Sequence, residues 1–210
     1  MKLILMDVDD TLYPKGTGPF AHVDKKIDEY VMSRCGLDQA QAKDLRKRYI
    51  GSYGSTLGGL MKHYDVDPDH YLKAVHDVPV ESLLTEDAEL KRVLEGIPAR
   101  MVAFSNGSAD YVRRVLNALG ISELLPDLFT IEFMDYIPKP MDYPYRKVLD
   151  LYARRPEDCV LVDDRLPNIR TAMDMGMKTI GVGLDPPLPG ALIIPDIYAI
   201  SQIAFEIMTN

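Results

Sequence analysis

The sequence predicts an α/β protein, a doubly wound parallel sheet into which an all-helical cap domain is inserted. Three observations carry this expectation. Four short apolar runs, Leu3 to Met6, Met101 to Phe104, Cys159 to Val162 and Thr179 to Val182, show no polar alternation, so each reads as a strand buried on both faces. Helical periodicity lies between the later runs, and strand followed by helix, repeated, implies right-handed crossovers. The first two runs are separated by about ninety residues with several helical patterns and no strand signal, far more than one crossover needs.

Taken in order, Leu3 to Met6 opens the core, which is expected to comprise residues 1–15 and 97–210, with the cap at 16–96. In the cap, Phe20, Val23, Ile27, Tyr30 and Val31 form one apolar stripe. Asp38 and Gln41 have capping-box spacing for a second helix. Leu57, Leu60, Met61 and Tyr64 form another stripe, and Asp67-Pro68 starts a further short helix. Thr85 is the expected N-cap of a helix through Leu90, Val93 and Leu94 that ends at Gly96. Back in the core, a helix after Ser108 carries Tyr111, Val112, Val115, Leu116 and Leu119. Pro140 is placed in the first turn of a helix striped by Tyr145, Val148, Leu149 and Tyr152. Another helix runs from Pro167 through Ile169, Ala172 and Met173 to a stop at Gly176. Leu192 to Ile194 is a candidate fifth strand after the Pro-rich loop 185–190.

Composition narrows the function classes. The 210 residues hold 24 Lys plus Arg against 32 Asp plus Glu, a formal charge of −8, which argues against a nucleic-acid binder. An apolar fraction of 47% with 27% charged residues is that of a globular protein. No apolar run approaches the roughly 18 residues of a membrane span, and the N-terminus does not read as a signal peptide. Cys35 and Cys159 lack metal-ligand spacing, so a reducing cytoplasm is the expected location.

The chemistry is expected at the carboxyl ends of the strands, where open α/β sheets bind ligands. The first strand ends in Asp7-Val8-Asp9-Asp10-Thr11, two carboxylates at i and i+2 that can serve a hard cation and a reacting group together. The second ends in Ser105-Asn106-Gly107, a turn able to aim a hydroxyl and backbone N–H groups at an oxyanion. Lys139 sits between two prolines, in a position to face a phosphate. Asp163-Asp164, with Asn168 one helical turn on, places adjacent carboxylates that need a cation to offset their repulsion. Oxygen-only ligands of this kind suit Mg²⁺.

This constellation resembles the haloacid dehalogenase superfamily. Asp7-Val8-Asp9-Asp10-Thr11 matches its first motif, Ser105 its second, Lys139 its third and Asp163-Asp164 its fourth, and a helical insert after strand 1 resembles that superfamily's first type of cap. The resemblance implies Mg²⁺-dependent phosphoryl transfer through an aspartyl-phosphate. Asp7 would be the nucleophile, Asp9 the acid and base, and Thr11 would position the loop by bonding near Asp9. Asp7, the carbonyl of Asp9 and Asp164 would hold the metal, with Asp163 acting directly or through water, while Ser105, the Asn106 amide and Lys139 would hold the phosphoryl oxygens. Asp9 argues for a phosphatase over a dehalogenase, which has no leaving alkoxide to protonate.

Closer still, Asp10-Thr11-Leu12-Tyr13-Pro14, Tyr53-Gly54-Ser55-Thr56-Leu57-Gly58-Gly59-Leu60, His76-Asp77, Val162-Asp163-Asp164-Arg165-Leu166-Pro167-Asn168 and Ile193-Ile194-Pro195-Asp196-Ile197 resemble the pyrimidine 5′-nucleotidase branch. That implies a nucleoside monophosphate as substrate, and a small phosphorylated metabolite in any case. In the cap, Arg48, Tyr49, Tyr53 and His63 are the candidate specificity residues. The tyrosines either stack on a base or pack the cap's own core, and the Gly58-Gly59 pair allows a close backbone approach. The four histidines all fall in the insert, away from the acidic site. The alternatives are a phosphatase of sugar phosphates or phosphoglycolate, or a phosphomutase. A phospho-acceptor receiver module fits poorly, because the Asp-x-Asp comes first and a cap follows it.

Overall fold

The structure is a computed structural model that describes residues 2–203. Six parallel strands, β1 (Leu3–Met6), β2 (Arg100–Phe104), β3 (Leu128–Phe129), β4 (Cys159–Asp163), β5 (Lys178–Val182) and β6 (Leu192–Ile194), form one sheet in the order β3-β2-β1-β4-β5-β6. The strand order reverses on either side of β1, so the ends of β1, β2 and β4 open onto one crevice. Register fixes which residues meet there: Met6 pairs with Ala103 on one side and Val162 on the other, so Asp7, Phe104 and Asp163 leave the sheet at one level. The four apolar runs are strands as expected, and Leu192–Ile194 is a sixth, at the edge. Only β3 had no counterpart in the sequence pattern, since two residues show no periodicity.

Between β1 and β2 lie α1 (Phe20–Cys35), α2 (Gln39–Tyr53), α3 (Thr56–Tyr64), α4 (Pro68–Val75), α5 (Val80–Leu83) and α6 (Ala88–Glu95). Their starts follow the chemistry of their caps. Asp38 and Gln41 make both halves of a capping box, Ser55 accepts from the N–H of Gly58, and Asp67 accepts from that of His70 ahead of Pro68 in the first turn. The expected cap at Thr85 is displaced: Asp87 accepts from the N–H of Leu90 at 2.8 Å, and its own N–H bonds the Leu119 carbonyl. A carboxylate at this position also faces the positive end of the helix, which favours it over a hydroxyl. Leu90, Val93 and Leu94 of α6 share an apolar cluster with Ile4, Met6 and Val112 beneath the sheet.

After β2 come α7 (Ala109–Ala118), α8 (Asp142–Leu151) and α9 (Leu166–Asp174). Ser108 caps α7 as its sequence suggests. Pro140 does not enter α8. Residues 138–141 form a turn in which the Met141 N–H bonds the Pro138 carbonyl, and the Pro140 carbonyl is taken by the Thr171 hydroxyl, so the helix starts only at Asp142. Among the described residues, no helix is long and apolar enough to cross a membrane.

Candidate active site

Asp7 leaves β1 with its backbone still on the sheet, its N–H bonded to the Val162 carbonyl at 2.9 Å. Its side chain is clamped from both sides. Lys139 Nζ donates to Oδ1 at 2.8 Å, and the Thr11 hydroxyl to Oδ2 at 3.1 Å. Thr11 therefore steadies Asp7; the expected bond near Asp9 is not made, because the chain turns at Asp10, in the left-handed region at φ 56°, and brings Thr11 back toward the strand end. Burial raises the Asp7 carboxyl well above the usual range; Lys139 pulls it down, and Asp163 and Asp164 push it up.

Lys139 is 1% exposed and spends all three of its protons inside the protein, on Asp7, on Asp163 Oδ2 at 2.8 Å and on the Phe104 carbonyl at 2.6 Å. Burial lowers its pKa, but Asp163 and Asp7 outweigh that and hold the ammonium above its ordinary value. Its backbone is pinned as well: the Asn106 side chain donates to the Lys139 carbonyl and accepts from its N–H. Lys139 thus links two carboxylates and two loops.

Asp163 and Asp164 are adjacent but differ in kind. Asp163 is fully buried and saturated, accepting from Lys139, from the Asn168 amide on both oxygens at 2.9 Å, and from the Arg165 N–H at 2.8 Å. Asp164 has one weak partner, the exposed Lys15 at 3.4 Å, and burial followed by the charge of Asp163 raises it to about 6. Asp7, Asp163 and Asp164 each offer an oxygen within 4.8 Å of the others. Three carboxylates against one buried ammonium leave an excess of negative charge, and the donor set is all oxygen. That set fits a hard divalent cation, with Asp164 the least committed ligand.

Asp9 stands apart from this cluster. The Tyr13 and Tyr111 hydroxyls both donate to its Oδ1, at 2.5 and 2.6 Å, while Oδ2 has no hydrogen-bond partner among the described residues. Burial raises Asp9 to about 6 despite the two phenols, which pull the other way. On the adjacent strand end, Ser105 Oγ accepts from the Gly107 N–H at 3.0 Å, and the Asn106 N–H has no acceptor among the described residues.

These groups line a cavity of about 370 Å³. Asp7, Asp9, Ser105, Asn106, Lys139 and Asp164 form its sheet side, and Phe20, Ile27, Ile50, Leu57, Leu72 and Val75 an apolar side drawn from the helices. Arg46 also lines it, ion-paired with Asp24 and Asp28. His76 lines it too, which corrects the expectation that the histidines stay away from the acidic site: it follows α4 and stacks on Tyr111 with ring centroids 4.5 Å apart. Burial lowers its pKa to about 4.

Arg48, Tyr49, Tyr53 and His63 are not brought to the cavity. The Tyr49 and His63 rings stack at 5.4 Å, the Tyr53 hydroxyl meets His63 Nε2 at 2.7 Å, and a Cβ on Gly59 would strike the Tyr49 ring. The close approach that Gly59 allows is to that ring. Sequence reasoning missed Tyr13, Tyr111, Arg46 and His76. Tyr13 and His76 lay in segments that carried the family resemblance, but neither was read as a site residue, and Tyr111 and Arg46 carried no such signal.

The family model for haloacid dehalogenase-like hydrolases matches residues 1–176. Phosphate metabolism protein 8 of Saccharomyces cerevisiae is 24% identical over 192 residues, covering 84% of this chain. The chain spans 60% of the length of that relative. Among solved structures, CbbY of Rhodobacter sphaeroides in complex with phosphate is similar with a TM-score of 0.66 at 18% identity, over 95% of this chain and 96% of that one. The HAD-hydrolase YfnB of Bacillus subtilis bound to magnesium reaches 0.64 at 15% identity, over 97% and 98%. At these identities the structures share the fold.

Proposed function

Because the chain belongs to the haloacid dehalogenase-like hydrolase family, we propose that it is a Mg²⁺-dependent phosphomonoesterase acting through an aspartyl-phosphate on Asp7, with a pyrimidine nucleoside 5′-monophosphate as its substrate. The observation that carries this reading is the contrast between two carboxylates two residues apart. Burial raises both carboxyls, but Asp7 is ion-paired with the buried Lys139 ammonium inside the carboxylate cluster, whereas Asp9 lies outside that pair with only two phenols as partners and is raised to about 6, a value suited to giving and taking a proton near neutrality.

The residues divide the work accordingly. An Asp7 oxygen bonds to phosphorus as the ester P–O bond breaks, and Asp9 gives its proton to the departing oxygen. In the second half, Asp9 takes a proton from water as the water oxygen bonds to phosphorus and the Asp7–phosphorus bond breaks, which releases phosphate. The Ser105 hydroxyl and the uncommitted Asn106 N–H are the donors for the phosphoryl oxygens, and Lys139 holds Asp7 and Asp163 in place between them. Asp7, Asp164 and the Asp9 carbonyl would hold Mg²⁺, which would supply the positive charge an anionic substrate needs beside a carboxylate. The segment 16–96 is proposed as the cap, with α5 and α6 bracing the sheet.

The cap side favours a substrate with one phosphoryl group and an uncharged, partly apolar remainder. Its lining arginine already faces two aspartates, which leaves little for a second phosphate. Phosphate release from UMP, CMP, AMP, GMP, sugar monophosphates and a sugar bisphosphate, each with Mg²⁺, tests both levels. Preference for UMP and CMP is expected. Faster turnover of sugar phosphates would move the substrate class, and release from none of them would overturn the phosphatase reading.

A further inference from the structure

Asp9 is held by groups that none of the four sequence motifs contains. Two buried tyrosines from different parts of the chain, Tyr13 from the loop after β1 and Tyr111 from the first turn of α7, both donate to the same oxygen, Oδ1. An ionised carboxylate oxygen has two lone pairs directed in its plane, and two O–H donors occupy both. Oδ2, which has no hydrogen-bond partner among the described residues, is therefore the oxygen left open to carry a proton, and Asp9 itself lines the cavity. A single donor would leave room for the proton on Oδ1, where it points back into the protein.

Tyr111 is in turn seated by the chain that leaves the helical insert. The His76 ring stacks on the Tyr111 ring at 20° between planes. One turn further along α7, the Arg114 guanidinium bonds the carbonyl of Val78 at 2.7 Å and the Glu81 carboxylate at 2.7 Å. The same face of α7 therefore grips the segment 76–81 and the acid at once.

We propose that Tyr13 and Tyr111 are positioning residues that fix the carboxyl of Asp9 by Oδ1 and so direct its proton, on Oδ2, to the leaving oxygen, with His76 holding Tyr111 in register. The inference rests on the phosphomonoesterase reading of the site. It concerns only the half-reaction in which the leaving group departs, so kcat/KM, which covers the steps up to that departure, is the quantity to follow.

Tyr13→Phe, Tyr111→Phe and the double variant remove only hydroxyls and keep the rings. Each is to be measured with an alkyl phosphate, whose leaving oxygen needs a proton, and with p-nitrophenyl phosphate, whose leaving oxygen does not. The expected result is a fall in kcat/KM of about tenfold or more for the alkyl ester in each single variant, a larger fall in the double, and less than threefold for the aryl ester. His76→Ala should reproduce the Tyr111→Phe pattern more weakly, and His76→Phe, which keeps a stacking ring, should restore it. Equal losses for the two esters in an active enzyme would overturn the clamp and leave the phosphatase reading standing. A wild-type enzyme that releases phosphate from neither ester would overturn both.

Discussion

On the sheet side of the cavity, Asp7, Lys139 and Asp163 are bound to one another through hydrogen bonds of 2.8 Å, and each is tied to backbone or amide groups of a neighbouring loop. On the helical side, apolar side chains from α1, α3 and α4 face the same space, and the cation there is neutralised within the wall. On the sheet side three carboxylates gather around one ammonium and Asp164 is held only weakly; on the helical side Arg46 is engaged by both Asp24 and Asp28, and the rest of the wall is largely apolar. In the proposed reaction the chemistry takes place on the sheet side, where carboxylates outnumber the buried ammonium, and the apolar residues opposite would exclude water and strengthen the electrostatic interactions beneath them.

The sharpest way to break this comparison is to remove the nucleophile. Asp7→Asn keeps the volume and one hydrogen-bond acceptor, so the fold is expected to survive with unchanged circular dichroism, while turnover falls by about 10³-fold or more. Residual activity above about a hundredth of wild type would mean that the charge cluster is scaffolding and that the reaction uses another group. A smaller effect is expected across the cavity. Arg46→Met leaves Asp28, itself buried, without its counter-ion and should cost about 2 kcal/mol in denaturant unfolding. Asp28→Asn in the Arg46→Met background should recover most of that loss, because the unpaired charge is then gone. A stable Arg46→Met protein with a KM raised tenfold would instead make Arg46 a substrate ligand.

How far the sequence discloses each wall follows from the range of the interactions. The strands and their terminal carboxylates are local: four apolar residues in a row followed by Asp or Ser can be read from adjacent positions, and parallel pairing then brings Asp7, Ser105 and Asp163 together without further information. Lys139 was legible as a site residue, but its three internal bonds were not, since they join it to residues 132, 35 and 24 positions away. Tyr111 reads as one more member of the α7 stripe, because its ring is buried in the core while its hydroxyl alone reaches Asp9 across 102 positions. Arg46 pairs with Asp24 and Asp28 across two helices, a spacing to which helical periodicity is blind. Tyr49 and Tyr53 read either as stacking on a base or as packing among the inserted helices, and which of the two holds depends on how α2 meets α3, which the sequence does not give.

That packing gives the smallest and most discriminating prediction. Tyr53→Phe removes the hydroxyl that meets His63 Nε2 and leaves the ring in its edge contact with Tyr49. A partly solvated hydrogen bond of this kind contributes about 0.5–1 kcal/mol, so the variant should unfold at slightly lower denaturant concentration while kcat and KM for UMP stay within twofold of wild type. The physical ground is the occupancy of the rings: Tyr49 is stacked on His63 and backed by Gly59, Tyr53 is bonded to the same imidazole, and no face of that cluster lines the cavity. A base in the cavity would have to displace part of the cluster to stack on it, giving up those contacts. An unchanged unfolding midpoint with KM for UMP raised fivefold or more would show that this exchange takes place, and would move substrate recognition from the apolar wall of Phe20, Ile27, Leu57, Leu72 and Val75 to the cluster of Tyr49, Tyr53 and His63.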